Sequence, residues 1–325
     1  MWTDLLWISV GVVLLTFGGE ILIKGALGAA KRLNVSPLLS GLVIVGFGTS
    51  SPELAVSVDA ALNQSPDIAV GNVVGSNIGN ILLILGLCAM IMPMRVQPLA
   101  LRRDGLTMLA ATILVIALIG GVGLARFDAL VMLLALAAYL TWAYLTERQQ
   151  QQPAAIAAAE LHQAEADEIQ HYPAQTWKIT GYILVGLVLL IAGSRGLLIG
   201  AVSLAQSFGV SEALIGLTLV AVGTSLPELT VSVMAAIRKH ADVAVGNILG
   251  SNIFNILGIL GVSALLQPLP VAQRMLQFDL WVMLASAVLL LVFLFTGRRL
   301  SRLEGALLAI GYVAYVYASF VLFPG

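Results

Sequence analysis

The sequence predicts an all-α polytopic membrane protein whose ten transmembrane helices form two inverted five-helix repeats. Three observations carry that expectation: scarce charge, ten long apolar runs, and a set of motifs that occurs twice. Of 325 residues, 59% are hydrophobic and 10% charged, against roughly 25% charged in an ordinary soluble domain. So little charge cannot cover a surface facing water, which argues against a soluble enzyme or a disordered regulator. Lys and Arg total 16 against 17 Asp and Glu, so no basic excess exists to neutralise phosphates and no nucleic-acid partner is expected. The lone cysteine, Cys88, excludes a disulfide framework and a thiolate metal cluster.

A helix needs about 20 apolar residues to cross a bilayer. Runs of that kind occupy 5–30, 37–62, 68–93, 104–122 and 127–146, then 177–205, 212–237, 243–267, 276–296 and 304–323. Their continuity argues against a transmembrane β-barrel, which alternates over short strands. The first run follows Asp4 and no basic residue, so it reads as a mature helix rather than a signal peptide. With the N-terminus outside, twelve Lys and Arg fall in cytoplasmic loops and only Arg126 and Arg274 outside. That positive-inside bias places both termini outside and makes the chain multi-pass in the cell (inner) membrane. Residues 1–146 form the first repeat, 147–176 a short cytoplasmic linker, and 177–325 the second repeat. The linker reads as a short amphipathic helix or a disordered tether, and its His162 and His171 lack metal-ligand spacing.

The repeat is ungapped. Gly48-Thr49-Ser50-Ser51-Pro52-Glu53-Leu54 returns as Gly223-Thr224-Ser225-Leu226-Pro227-Glu228-Leu229. The stretch 69–80, ending Gly75-Ser76-Asn77-Ile78-Gly79-Asn80, returns as 244–255, ending Gly250-Ser251-Asn252-Ile253-Phe254-Asn255. Both pairs share one offset of 175 residues. Five spans per copy is an odd number, so the second copy enters the membrane from the opposite side. Transporters of that architecture place ion sites near the midplane, on interrupted helices at the repeat interface.

Glu53 and Glu228 each fall in mid-span, where a carboxylate costs about 2.5–3.5 kcal/mol on insertion scales and so faces the interior or a pathway. Pro52 and Pro227 remove a helical N–H and disrupt the helix near the carbonyls of Gly48 and Gly223. Thr49 and Ser50 share a helical face with Glu53, and Thr224 and Ser225 with Glu228. In the following helix Asn72, Ser76 and Asn80 recur every four residues, beside a Gly71, Gly75, Gly79 stripe expected to pack closely on its neighbour. The second copy has Asn247, Ser251 and Asn255 beside Gly246 and Gly250. Carboxylate, hydroxyl, amide and carbonyl oxygens suit Ca²⁺, Mg²⁺ or Na⁺ rather than Zn²⁺ or Cu⁺. Two ionised glutamates neutralise one Ca²⁺ or two Na⁺, and a site that alternates between them couples their movements as antiport.

These motifs resemble the α-repeats of the cation/calcium antiporter superfamily, which includes the Na⁺/Ca²⁺ exchangers. The resemblance spans motifs 46–57 and 69–80 in one half, 221–232 and 244–255 in the other, and it implies Ca²⁺/Na⁺ exchange by alternating access. It implies that Glu53 and Glu228 are the central Ca²⁺ carboxylates and that Asn80 and Asn255 complete the centre. Thr49, Ser50, Ser76, Thr224, Ser225 and Ser251 would surround the Na⁺ positions with the carbonyls of Gly46 and Ala221. It further implies that the first and sixth helices slide across the other eight. Many relatives carry Asp where this chain has Asn255. The linker is far shorter than the Ca²⁺-sensing loops of eukaryotic members, as in a prokaryotic member. A Ca²⁺/H⁺ or other divalent antiporter is the alternative. No cofactor and no obligatory protein partner are expected beyond the transported ions and the lipid bilayer.

An intramembrane enzyme is disfavoured: His-Glu-x-x-His and Gly-x-Ser-x-Gly are absent, and the three His lie at span edges or outside. Glu20 and Lys24, four apart on the first helix, are expected to pair. Arg195, the repeat counterpart of Glu20, is a candidate second partner. Asp59 reads as an outer-mouth carboxylate or a solvated helix end.

Overall fold

The computed structural model describes residues 2–95, 98, 100–120, 123–149, 172–208, 221–297 and 299–322, and nearly all of them are helical. The first half contains α1 (Trp2–Leu33), α2 (Pro37–Thr49), α3 (Ser51–Leu62), α4 (Pro66–Ile91), α5 (Leu106–Ile119) and α6 (Arg126–Gln149). The second contains α7 (Thr176–Ser207), α8 (Ala221–Thr224), α9 (Leu226–Ile237), α10 (Ala241–Leu266), α11 (Met275–Gly297) and α12 (Arg302–Leu322). Among the described residues seven helices are long and apolar enough to cross a membrane, and α2 with α3, bent by 44°, makes an eighth. The run expected at 104–122 is a π-helical turn, Ala100–Gly105, leading into α5. Of the run expected at 212–237, the stretch up to 220 lies outside the described residues, as do linker residues 150–171 with His162 and His171.

The helix ends have local causes. Pro52 and Pro227 sit in the first turn of α3 and α9, where a missing N–H costs nothing. Their C-termini close with one device used twice. Gln64 (φ 57°) and Lys239 (φ 63°) turn left-handed. The Ser65 N–H then donates to Ala60 and the His240 N–H to Ala235, both at 2.8 Å.

α1 and α7 run antiparallel along their full length. Gly11, Gly18 and Gly25 recur one repeat later as Gly186, Gly193 and Gly200 and let the backbones touch. A Cβ on Gly18 would stand 2.9 Å from the Leu190 backbone N, and one on Gly193 would stand 2.8 Å from that of Leu15. The opposite face of α1, with Val13 and Phe17, is exposed and apolar, as lipid contact requires. α10 is the most enclosed long helix and α4 the next. That position lets them carry asparagines and serines that a lipid-facing helix could not.

Two short antiparallel ribbons join the halves. β1 (Met94–Arg95) pairs with β4 (Arg299–Leu300), and β2 (Gly123–Leu124) with β3 (Leu269–Pro270). Further π-helical turns at Gly41–Gly46, Asn80–Leu85 and Phe254–Leu260 fall inside α2, α4 and α10. Such turns interrupt the regular ladder and commonly mark functional sites.

α6 continues through Glu147 to Gln149, past the boundary that polarity places at 146. Glu147 is buried there because Arg103 neutralises it, with Nη1 at 3.1 Å from Oε1.

Candidate functional site

The break at Pro52 creates a new helix N-terminus in the middle of a span, and Glu53 stands in its first turn. Glu228 stands in the first turn of α9. The positive end of each helix dipole thus faces a carboxylate that lipid alone would reject. Both glutamates are fully buried. Ser50 and Ser225, each at the break before its own glutamate, turn to the other repeat. Ser50 Oγ donates to Glu228 Oε1 at 2.8 Å, and Ser225 Oγ donates to Glu53 Oε1 at 3.0 Å. Ser76 Oγ lies 3.4 Å from Ser225 Oγ.

The second oxygen of each carboxylate, Glu53 Oε2 and Glu228 Oε2, is buried with no hydrogen-bond partner, as are Asn80 Oδ1 and Asn255 Oδ1. An orphaned buried acceptor costs about 1–3 kcal/mol, more when charged. Four such acceptors, two from each repeat, lie in the duplicated motifs, and oxygens of this kind are ones a cation could satisfy.

Around this centre the Gly46 carbonyl accepts from Ser251 Oγ at 3.0 Å and from Thr49 Oγ1 at 3.3 Å. Asn247 Oδ1, 3.1 Å from Thr49 Oγ1, is the alternative acceptor for that one hydroxyl proton. Thr224 closes α8, which Ala221 opens; the chain just before Ala221 lies outside the described residues. Asn72 and Asn247 do not join the oxygen cluster. Asn72 donates to the Glu53 carbonyl at 3.1 Å and to Ser57 at 2.9 Å, and Asn247 repeats this with the Glu228 carbonyl and Ser232. They tie each carboxylate helix to the helix after it.

The glycine stripes split in role. Gly246 and Gly250 press α10 onto α2: a Cβ on Gly246 would reach the Leu38 carbonyl at 2.5 Å, and one on Gly250 would collide with the Leu42 carbonyl. Gly71 and Gly75 do not pack in this way. With Ser76, Ser225, Arg274 and Asp279 they line a cavity of about 260 Å³ between α4, α9, α11 and α12, and a Cβ on Gly75 would meet nothing within 4 Å. The counterpart of Asp279 in the first half is Asp104. Asp104 holds the fully buried Arg103 by two bonds of 2.6 and 3.0 Å, and Arg103 also reaches Glu147. Glu147 in turn accepts from the Ser36 N–H and hydroxyl in the turn between α1 and α2.

Glu20 pairs with Lys24 at 2.9 Å as expected. Its partner from the other half is Arg238 at 3.4 Å rather than Arg195, because Arg195 points to an exposed face of α7. Asp59 is an exposed helix end capped by Asn63.

Residues that polarity alone did not single out complete the shell. Asn77 and Asn252, from the repeated Gly-Ser-Asn motif, are buried against Asn255 and Asn80, with Met108 and Met283 behind them. The signal was present in the sequence, since each sits at the same repeat position as the other.

A model of the family described as "Sodium/calcium exchanger protein" matches residues 3–145 and 178–321, one stretch in each half. The chain is 34% identical to the sodium/calcium exchanger MaX1 of Methanosarcina acetivorans, over 98% of this chain and 99% of that one. It is 32% identical to the inner membrane protein YrbG of Escherichia coli, over 97% and 96% of the two chains. Among solved structures, the sodium-calcium exchanger NCX_Mj soaked with 10 mM Na⁺ and 10 mM Sr²⁺ superposes with a TM-score of 0.82 at 30% identity, covering 97% of this chain and 98% of that one. These matches run nearly end to end, and the chain is a membrane transporter belonging to the sodium/calcium exchanger family.

Proposed function

We propose that this chain is a secondary antiporter that exchanges Ca²⁺ for Na⁺ by alternating access at a midplane site shared by both halves. The observation that carries the reading is the crossed pair of serine–carboxylate bonds, which leaves Glu53 Oε2, Glu228 Oε2, Asn80 Oδ1 and Asn255 Oδ1 without partners. Ca²⁺ takes about 6–8 oxygens in flexible geometry. The four free acceptors, with the shared Glu53 and Glu228 Oε1 atoms, supply that number. Thr49, Ser50, Ser76, Thr224, Ser225 and Ser251, with the Gly46 and Ala221 carbonyls, hold Na⁺ around the same carboxylates. Both cations need the two negative charges, so they exclude one another, and an empty site leaves two buried carboxylates unneutralised.

The same reading has ten spans in inverted halves, 1–146 and 177–325, with both termini outside an inner membrane and the linker in the cytoplasm. The ribbons support it by parity, because paired strands must lie on one side of the membrane. Six spans separate β1 from β4 and four separate β2 from β3, an even number in each case. In this orientation the cavity beside Ser76 and Ser225 opens outward, while the Arg103–Glu147–Ser36 contacts close the cytoplasmic side.

The test is ⁴⁵Ca²⁺ uptake into proteoliposomes. Uptake should follow an outward Na⁺ gradient and ignore a pH gradient; the reverse would make the protein a Ca²⁺/H⁺ antiporter. Glu53→Gln and Glu228→Gln should each lower Ca²⁺ affinity by at least about 100-fold, roughly 2.7 kcal/mol, and abolish exchange. Flux near the wild-type rate in either variant would remove the assigned site.

A further inference from the structure

An amide can present either an oxygen or an NH₂ group to a binding site, and the two ends differ little in shape. Beside two buried carboxylates the NH₂ end is the one an unconstrained asparagine would offer, since it gains a charge-assisted hydrogen bond. Asn80 and Asn255 do the opposite: their oxygens are the free atoms, and their NH₂ groups are occupied elsewhere. The partners of the two NH₂ groups decide which end of each amide stays free.

The restraint can be followed bond by bond. Asn255 Nδ2 donates to Asn77 Oδ1 at 3.0 Å. Asn77 must accept at that oxygen because its own Nδ2 is spent on the Asn252 backbone carbonyl at 3.3 Å, and it also faces Met283 Sδ at 3.9 Å. A backbone carbonyl can only accept, so Asn77 cannot reverse. Asn80 Nδ2 donates to Asn252 Oδ1 at 3.0 Å. Asn252 Nδ2 donates to Met108 Sδ at 3.5 Å, and a thioether likewise only accepts. All four asparagines are buried.

Resting on the exchanger reading, we infer that Asn77 and Asn252 are positioning residues that lock the Asn255 and Asn80 amides oxygen-first toward the cation, with Met108 as the anchor of one lock. The two locks differ in strength. The Asn77 lock ends on backbone, with Met283 a distant addition. The Asn252 lock ends on the Met108 sulfur. Losing that sulfur frees Asn252 and then Asn80 to reverse, and Asn80 Nδ2 turns onto the empty carboxylates. Ca²⁺ must then displace that bond before it can bind.

Met→Leu is close to volume-conserving in a core, so the pair Met108→Leu and Met283→Leu isolates the sulfur. Purified full-length protein in detergent is titrated with Ca²⁺ and with Na⁺, and melting temperature is followed with and without each ion. In Met108→Leu the Ca²⁺ dissociation constant should rise about tenfold, at the lower end of the 10–100-fold typical of outer-shell partners. Its cation-free melting temperature should not fall, because the reversed amide satisfies the empty carboxylates. Its Ca²⁺-induced shift should shrink. Met283→Leu should bind within about twofold of wild type, since the backbone lock remains. Asn252→Leu should lose affinity at least as far as Met108→Leu. Wild-type affinity in Met108→Leu, equal losses in the two Met variants, or a lowered cation-free melting temperature with an intact Ca²⁺ shift would each overturn the assignment. A wild-type protein that responds to neither Ca²⁺ nor Na⁺ would instead overturn the exchanger reading, and this inference with it.

Discussion

Ser50 and Ser225 show what a single hydroxyl contributes when it is borrowed across a repeat. Each neutral donor steadies one oxygen of a carboxylate on the opposite half, so neither glutamate is fixed by its own segment alone. A hydrogen bond to a charged group is worth about 1.5–3 kcal/mol. Ser50→Ala and Ser225→Ala are therefore each expected to slow Na⁺-driven ⁴⁵Ca²⁺ uptake about tenfold or more, and by similar factors, given the matched geometry. Markedly unequal losses would mean that the two carboxylates do different work. Glu53, Glu228 and their neighbouring hydroxyls were legible in the sequence because a mid-span carboxylate has few structural explanations and a duplicated one has fewer. The role of Asn77 was not legible. Asn77 and Asn80 are equally polar and three residues apart, and only the partner on the far side decides which keeps its oxygen free.

At the level of elements, the contact between the α1–α2 turn and the end of α6 is the most exacting. Arg103 is 1% exposed, yet Asp104, Glu147 and the Ala143 carbonyl occupy its guanidinium, and Tyr139 donates to Asp104 at 2.8 Å. Removing one partner of such a buried cluster costs about 3–5 kcal/mol, because the rest is left charged and unpaired. Arg103→Ala should lower the melting temperature of the detergent-solubilised protein strongly, and Arg103→Lys should recover only part, since an ammonium cannot make the fork to Asp104. A melting temperature unchanged from wild type would remove the cluster from the stability of the fold. Polarity alone read Glu147 as the first residue of a solvated tether; its burial depends on Arg103, more than forty residues earlier, which no local window contains. Helix positions were legible from apolar run length. The π-helical turns were not, because a reading at 3.6 residues per turn has no place for the extra residue that redirects Asn80 and Asn255. The glycine stripe at Gly71 and Gly75 misled for another reason: close packing needs a partner backbone, and in the first copy that stripe faces a cavity.

For the whole molecule, the resemblance to exchangers implies that the first and sixth helices travel across the remaining eight. α1 and α7 meet backbone to backbone along a glycine seam, so they are expected to travel as one body. Cys88 is buried and leaves the surface free for introduced cysteines. Joining Trp7→Cys to Gly196→Cys within the seam, where a Cβ on Gly196 meets Trp7 no closer than 3.4 Å, should preserve Na⁺-driven uptake. Joining Gly19→Cys to Met234→Cys, which fastens α1 to α9, should stop it and recover on reduction. Inhibition by the first crosslink alone would assign the movement to the seam itself.

The two ribbons carry a consequence for how the chain is made. Each takes one strand from either half, so a nascent chain that has delivered only its first half presents two unpartnered strand edges and one side of a pocket. Maturation in the bilayer has to wait until the ribosome has nearly finished, and until then the early half is a client for whatever shields open edges. The halves are tied covalently only through a polar connector, so two separately translated fragments divided there should still find one another.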